Sequence, residues 1–112
     1  MKRLSVGLVV LVLLLPASAR TQDVEEKRLL DNDRVAVYEF VFPAGFRGEE
    51  HAAVADEFAY VLDGQFTVVT KGRGKAVVRK GELEYAPKGT IHLSLNDTKR
   101  PARVLVVLLK ER

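Results

Sequence analysis

The sequence has no cysteine and no tryptophan, and only two histidines, four prolines and one methionine in 112 residues. Without cysteine, a disulfide framework, a thiolate nucleophile and a Cys-ligated zinc site are excluded, so packing alone must hold the fold together. A surplus of one charge sign is missing too. Eighteen Lys+Arg stand against fifteen Asp+Glu, a net charge of +3. That balance supplies no basic face of the kind nucleic-acid binding requires, and no nucleic-acid partner is expected. With 47% hydrophobic and 29% charged residues the composition is that of an ordinary globular chain, which excludes wholesale disorder. The length suits one domain.

Long uncharged runs are absent except at the start. Met1-Lys2-Arg3 is a short positive opening, residues 4–15 carry no charge, and Pro16-Ala17-Ser18-Ala19 ends in small residues. Twelve residues are too few to span about 30 Å of hydrocarbon at about 1.5 Å per residue. The segment 1–19 is therefore expected to be a signal peptide cleaved after Ala19, and the protein to be exported, periplasmic or secreted, with no membrane attachment after cleavage. Removing 19 of 112 residues leaves 93, and without Lys2 and Arg3 the balance is 16 Lys+Arg against 15 Asp+Glu, or +1.

What is present after residue 20 is a series of short β-rich runs, with helical periodicity hard to find. Residues 20–34 are polar and charged apart from Leu29-Leu30 and read as an N-terminal arm with a short edge strand. The runs 35–42, 58–62, 65–70, 75–79, 83–86, 91–96 and 102–110 follow, punctuated by Pro43-Ala44-Gly45, Asp63-Gly64, the turn 71–74, Lys80-Gly81, Pro87-Lys88-Gly89 and Asn96-Asp97. Such spacing predicts an all-β domain over 35–112. Asp63-Gly64 predicts a type I′ hairpin in which Val61 faces Phe66 and Ala59 faces Val68. Alternation then puts Glu57 on the apolar face with Ala59 and Val61, where a carboxyl group needs a partner. The final run, 104–109, is apolar on both faces. One face can line a core; the other calls for a second layer or a second subunit, and a homodimer is expected.

Only His, Glu and Asp are available as metal donors. In one straight strand His51 and Glu57 would lie about 20 Å apart at about 3.3 Å per residue, so the small-residue stretch 52–56 must reverse the chain for them to meet. Asn96-Asp97 reads as a strand cap, Glu49-Glu50 and the 71–75 loop as solvated, and Phe40, Phe42, Phe58, Tyr60 and Tyr85 as core or interface aromatics.

The spacing Gly45, His51, Ala53, Glu57, Gly64 resembles the first motif of the cupins, and Gly81, Pro87, Gly89, His92, Asn96 resembles the second at every fixed position. Sixteen residues, 65–80, separate the two, as in small single-domain cupins. The resemblance implies a jelly-roll β-barrel with a conical pocket, often holding one metal ion. The ligands it implies here are His51, Glu57 and His92. The fourth family ligand falls at Ala53, which has no donor atom. Two imidazoles and a carboxylate suit Fe(II), and tolerate Mn, Zn or Ni. The expected function is capture of a small-molecule ligand in the barrel mouth, with or without a divalent ion. The alternatives are a metal-dependent dioxygenase- or isomerase-type enzyme, and a structural dimer with a decayed site.

Overall fold

Period-two alternation of apolar side chains builds each strand of this domain, and glycine-bearing bends separate them. The computed structural model describes residues 24–111, and the expected signal peptide lies outside them. Nine strands form: β1 (Glu25–Asp31), β2 (Val35–Phe42), β3 (His51–Ala52), β4 (Asp56–Asp63), β5 (Gln65–Thr70), β6 (Gly74–Arg79), β7 (Leu83–Ala86), β8 (Ile91–Leu95) and β9 (Ala102–Leu109). Among the described residues there is no helix. The strands make two sheets, ordered β1-β2-β9-β4-β7 and β3-β8-β5-β6, with every pairing antiparallel. The arm expected at 20–34 contributes β1 as an edge strand along β2. Lys110 ties it down, with its ammonium group paired to Asp31 and donating to the Asn32 carbonyl at 2.8 Å.

The core lies between the two sheets. Ala36, Tyr38 and Phe42 of β2, Ala59 and Val61 of β4, and Ala102, Val104, Val106 and Leu108 of β9 face Phe66 and Val68 of β5. Burying a Val, Leu or Phe side chain is worth about 1.5–3 kcal/mol, and this face is the main source of stability in a chain without disulfides.

The expected hairpin is corrected by the structure. β4 lies in one sheet and β5 in the other, so Val61 and Phe66 are not cross-strand partners. Asp63 does not take the positive φ that a type I′ turn demands; Gly64 alone does, at +77°. Asp63-Gly64 is a corner between layers because the edges of β4 are already taken by β7 and β9. The face deduced from the hairpin survives for another reason: Ala59, Val61, Phe66 and Val68 are all buried, in contact across the layers.

β9 occupies the centre of the five-stranded sheet. Its inner residues fill the core, while Leu105 and Val107 are half-buried and Leu109 is 40% exposed on the outer face. Tyr60, Leu83 and Tyr85 are also exposed there, and the Phe58 and Tyr85 rings meet at 4.9 Å.

Candidate functional site

A cavity of about 480 Å³ opens between the sheets at the end where β3 begins. Its deeper walls are apolar and aromatic. Phe42 stacks on Phe46 with centroids 5.3 Å apart, and contacts Phe66 at 5.5 Å and Phe40 at 6.0 Å. Val104, Val106 and Leu108 of β9 complete that wall. Phe40 and Phe42, read from the sequence as core aromatics, thus also face the cavity.

The polar groups come from four strands. β3 and β8 pair with His51 opposite His92, which brings the two imidazoles to 4.8 Å, edge to face. The segment 53–55 turns the chain between β3 and β4, as the distance argument required. β4 then presents Glu57, whose Oε2 lies 3.5 Å from His92 Nε2. That separation is too long for a good hydrogen bond. β7 presents Glu84, paired in register with Ala59, so the Glu57 and Glu84 side chains share one face. His51, Glu57 and His92 therefore line one cavity although the first and the last stand 41 positions apart in the sequence.

Burial sets their protonation. The Glu57 carboxyl is pushed up to about 7 by loss of water. Glu84 is likewise pushed up to about 7, by burial first and by the nearby Glu57 second. His92 is shifted down, mainly by burial and then by His51. Near neutral pH both carboxyl groups therefore stand close to the midpoint between their acid and charged forms, and His92 is held toward its neutral form. His51 is exposed, and its Nδ1 lies 2.9 Å from the Glu49 carbonyl. A carbonyl only accepts, so Nδ1 carries the proton, which in the neutral ring leaves the lone pair on Nε2. His92 is 2% exposed, and its Nδ1 has no hydrogen-bond partner.

These donor types suit a divalent ion, and the Glu49 carbonyl orients His51 as such ligands are commonly oriented. Their placement falls short of a preformed centre: among the described residues no group of three or more His, Cys, Asp or Glu side chains is close enough to hold a metal. Ala53, where the family pattern has a fourth ligand, is buried. Its N–H donates to the Thr90 carbonyl and its carbonyl accepts from the Gly89 N–H, each at 2.8 Å.

Glu84 is the residue that sequence reasoning missed. In Leu83-Glu84-Tyr85-Ala86 an alternating apolar–charged pattern normally sends the charge to water. Here Leu83 and Tyr85 point outward, 58% and 50% exposed, and Glu84 points in with Ala86. The available signal was the turn at Pro87, whose preceding Ala86 is fully buried and fixes the parity of the strand. Asn96 behaves as read: wholly buried, it donates to the carbonyls of Phe42 (3.0 Å) and Arg100 (2.8 Å) and accepts from Thr98.

Comparison with known proteins agrees with this architecture. Residues 38–108 match the family described as Cupin domain. No match is found among curated proteins. A cupin superfamily protein from Desulfitobacterium hafniense is 23% identical, with a TM-score of 0.72, covering 90% of this chain and 88% of that one. An RmlC-like cupin with a double-stranded β-helix fold from Methanocaldococcus jannaschii is 18% identical, with a TM-score of 0.72 and 86% coverage of both chains. The DMSP lyase DddQ from Ruegeria pomeroyi is 22% identical, with a TM-score of 0.76; the match covers 88% of this chain and 52% of that one. At these identities the likeness establishes the fold.

Proposed function

Since the chain belongs to the cupin family, whose barrels open into a pocket, we propose that it captures a small organic molecule in the cavity between its sheets. One observation carries this reading. About 480 Å³ of largely apolar space is walled by stacked aromatic rings and met at one side by Glu57, Glu84 and His92. That combination of much apolar wall and a few convergent polar groups is how small-molecule sites are built. The polar groups fix orientation; the rings supply contact area. In this reading the leader at 1–19 exports the protein, so the ligand is met outside the cytoplasm.

The test is uptake of a neutral apolar fluorophore, N-phenyl-1-naphthylamine, by metal-free protein. Saturable one-to-one binding supports the reading. Ala52→Trp should block it, because Ala52 is exposed and lines the cavity, so the added ring narrows the entrance without disturbing the core. Absence of saturable binding, or binding indifferent to Ala52→Trp, would end it.

A second reading is favoured by the orientation of His51. With Nδ1 held by Glu49, its free Nε2 belongs to the same cavity as His92 and Glu57. These are the three residues that would hold a divalent ion, and the ion would supply Lewis acidity to a bound ligand. The outer face of β9, β4 and β7 is read as the seat of a second copy of the chain. It is apolar over Leu105, Val107, Phe58, Tyr60, Leu83 and Tyr85, and a face of that kind is seldom left to water.

A further inference from the structure

We infer that the cavity selects a protonated amine carried on an apolar body. This rests on the pocket-binding reading and names its ligand class. The chain carries 18 Lys+Arg, more than its acidic residues, yet among the described residues none that lines the cavity is a lysine or an arginine. Three are glutamates: Glu49 at the entrance, and Glu57 and Glu84 within. A ligand carboxylate or phosphate would lose its water there and meet glutamates without a lysine or arginine to pair with. A wholly apolar ligand would bury two carboxyl groups without giving either a partner. A cation answers both: it pairs with Glu57 and Glu84, and the hydrogen bonds it donates to them are of the stronger, charge-assisted kind.

Two further features point the same way. His92 lines the cavity beside the acids, 2% exposed, with Nε2 3.5 Å from Glu57 Oε2. An ammonium group has several N–H donors and can serve two carboxylates at once; a lone hydroxyl has one. Behind the acids, the faces of Phe40, Phe42, Phe46 and Phe66 accommodate the apolar body and attract positive charge.

The experiment uses one skeleton with three head groups: phenethylamine, phenethyl alcohol and 3-phenylpropionate. Each competes with bound N-phenyl-1-naphthylamine on the whole mature protein, in EDTA to exclude metals. At about pH 8 the amine is protonated. Phenethylamine should bind at least about tenfold more tightly than the alcohol, and the propionate should not compete. In Glu84→Gln the amine should lose at least about tenfold while the alcohol changes little, since the amide keeps the shape and discards the charge. The inference is overturned if the alcohol or the propionate equals the amine, if the amine fails to displace the fluorophore, or if Glu84→Gln weakens amine and alcohol alike. Binding of the fluorophore without the amine would overturn the ligand class and leave the pocket; loss of fluorophore binding itself would overturn the pocket.

Discussion

Glu84 stands on β7 directly across from Ala59, two residues beyond Glu57 on β4, so two carboxyl groups enter one cavity from adjacent strands. Each is pushed up from 4.5 to about 7. The folded state therefore holds protons that the unfolded chain has released, and stability falls as pH rises from 4.5 to about 7, then levels. His92 acts in the opposite sense: its lowered value makes the folded state resist protonation and costs stability below 6.5. Two carboxyl groups outweigh one imidazole. Urea denaturation of metal-free protein should show the fall, and Glu57→Gln should reduce its slope while gaining on the order of 2 kcal/mol over the wild type at about pH 8. A variant as pH-dependent as the parent would place Glu57 in water.

Addition of Mn²⁺, Fe²⁺, Zn²⁺ or Ni²⁺ to chelator-stripped protein tests the His51, Glu57 and His92 set. An ion bound only by the folded state adds about 2.7 kcal/mol at a hundredfold excess over Kd, visible as a raised Tm. His51→Ala and Glu57→Gln should each cancel the rise. If none of the four ions moves the Tm, the three residues serve a ligand or each other.

Much of this was legible in the residues, for identifiable reasons. Alternating runs located the strands because burial on one face imposes period two, and β2, β5 and β7 have the bounds their apolar residues set. The trio of His51, Glu57 and His92 shares a cavity because turns lie where small residues and glycine allow them. Three features were hidden. β3 is two residues long, too short to carry a pattern. The Asp63-Gly64 signal is local, whereas the choice between a hairpin and a corner depends on β9, some 40 residues later, taking the edge of β4. Glu84 was masked because the outer face is apolar, which inverts the usual rule that charge points out.

That outer face makes the third prediction. Wild-type protein should sediment as a dimer at tens of micromolar. A Leu83→Lys, Tyr85→Lys double variant should sediment as a monomer with an unchanged circular dichroism spectrum, since both side chains are exposed within one chain and contribute nothing to its own core. A wild-type monomer would leave the apolar face without the occupant assigned to it.

Asn96 links three segments. Its amide group donates to Phe42 in β2, out of water, and to Arg100, and its oxygen holds Thr98, both at the edge of the buried region. Asn96→Ala would leave the buried Phe42 carbonyl without this donor, and each such loss costs about 1–3 kcal/mol. We expect a loss of roughly 2–4 kcal/mol by chemical denaturation. Asn96→Asp should fare little better, because a carboxylate cannot donate to the two carbonyls that the amide serves.

The corner at Gly64 gives the sharpest contrast. A Cβ there would meet the Pro101 carbonyl oxygen at 2.5 Å and the Ala102 Cα at 3.0 Å, both backbone atoms, and φ is +77°. Gly72, in the turn between β5 and β6, has a φ of +86° and open space where its Cβ would stand. Both positions incur the left-handed penalty of about 1–2 kcal/mol when changed to alanine. Only Gly64→Ala must also displace the chain leading into β9, the central strand of its sheet. It should therefore cost at least about 2 kcal/mol more than Gly72→Ala, read as the difference between their denaturation midpoints at constant m. Equal losses would mean that the β4–β5 corner does not press on residue 101, and that the crossing between the sheets is made elsewhere.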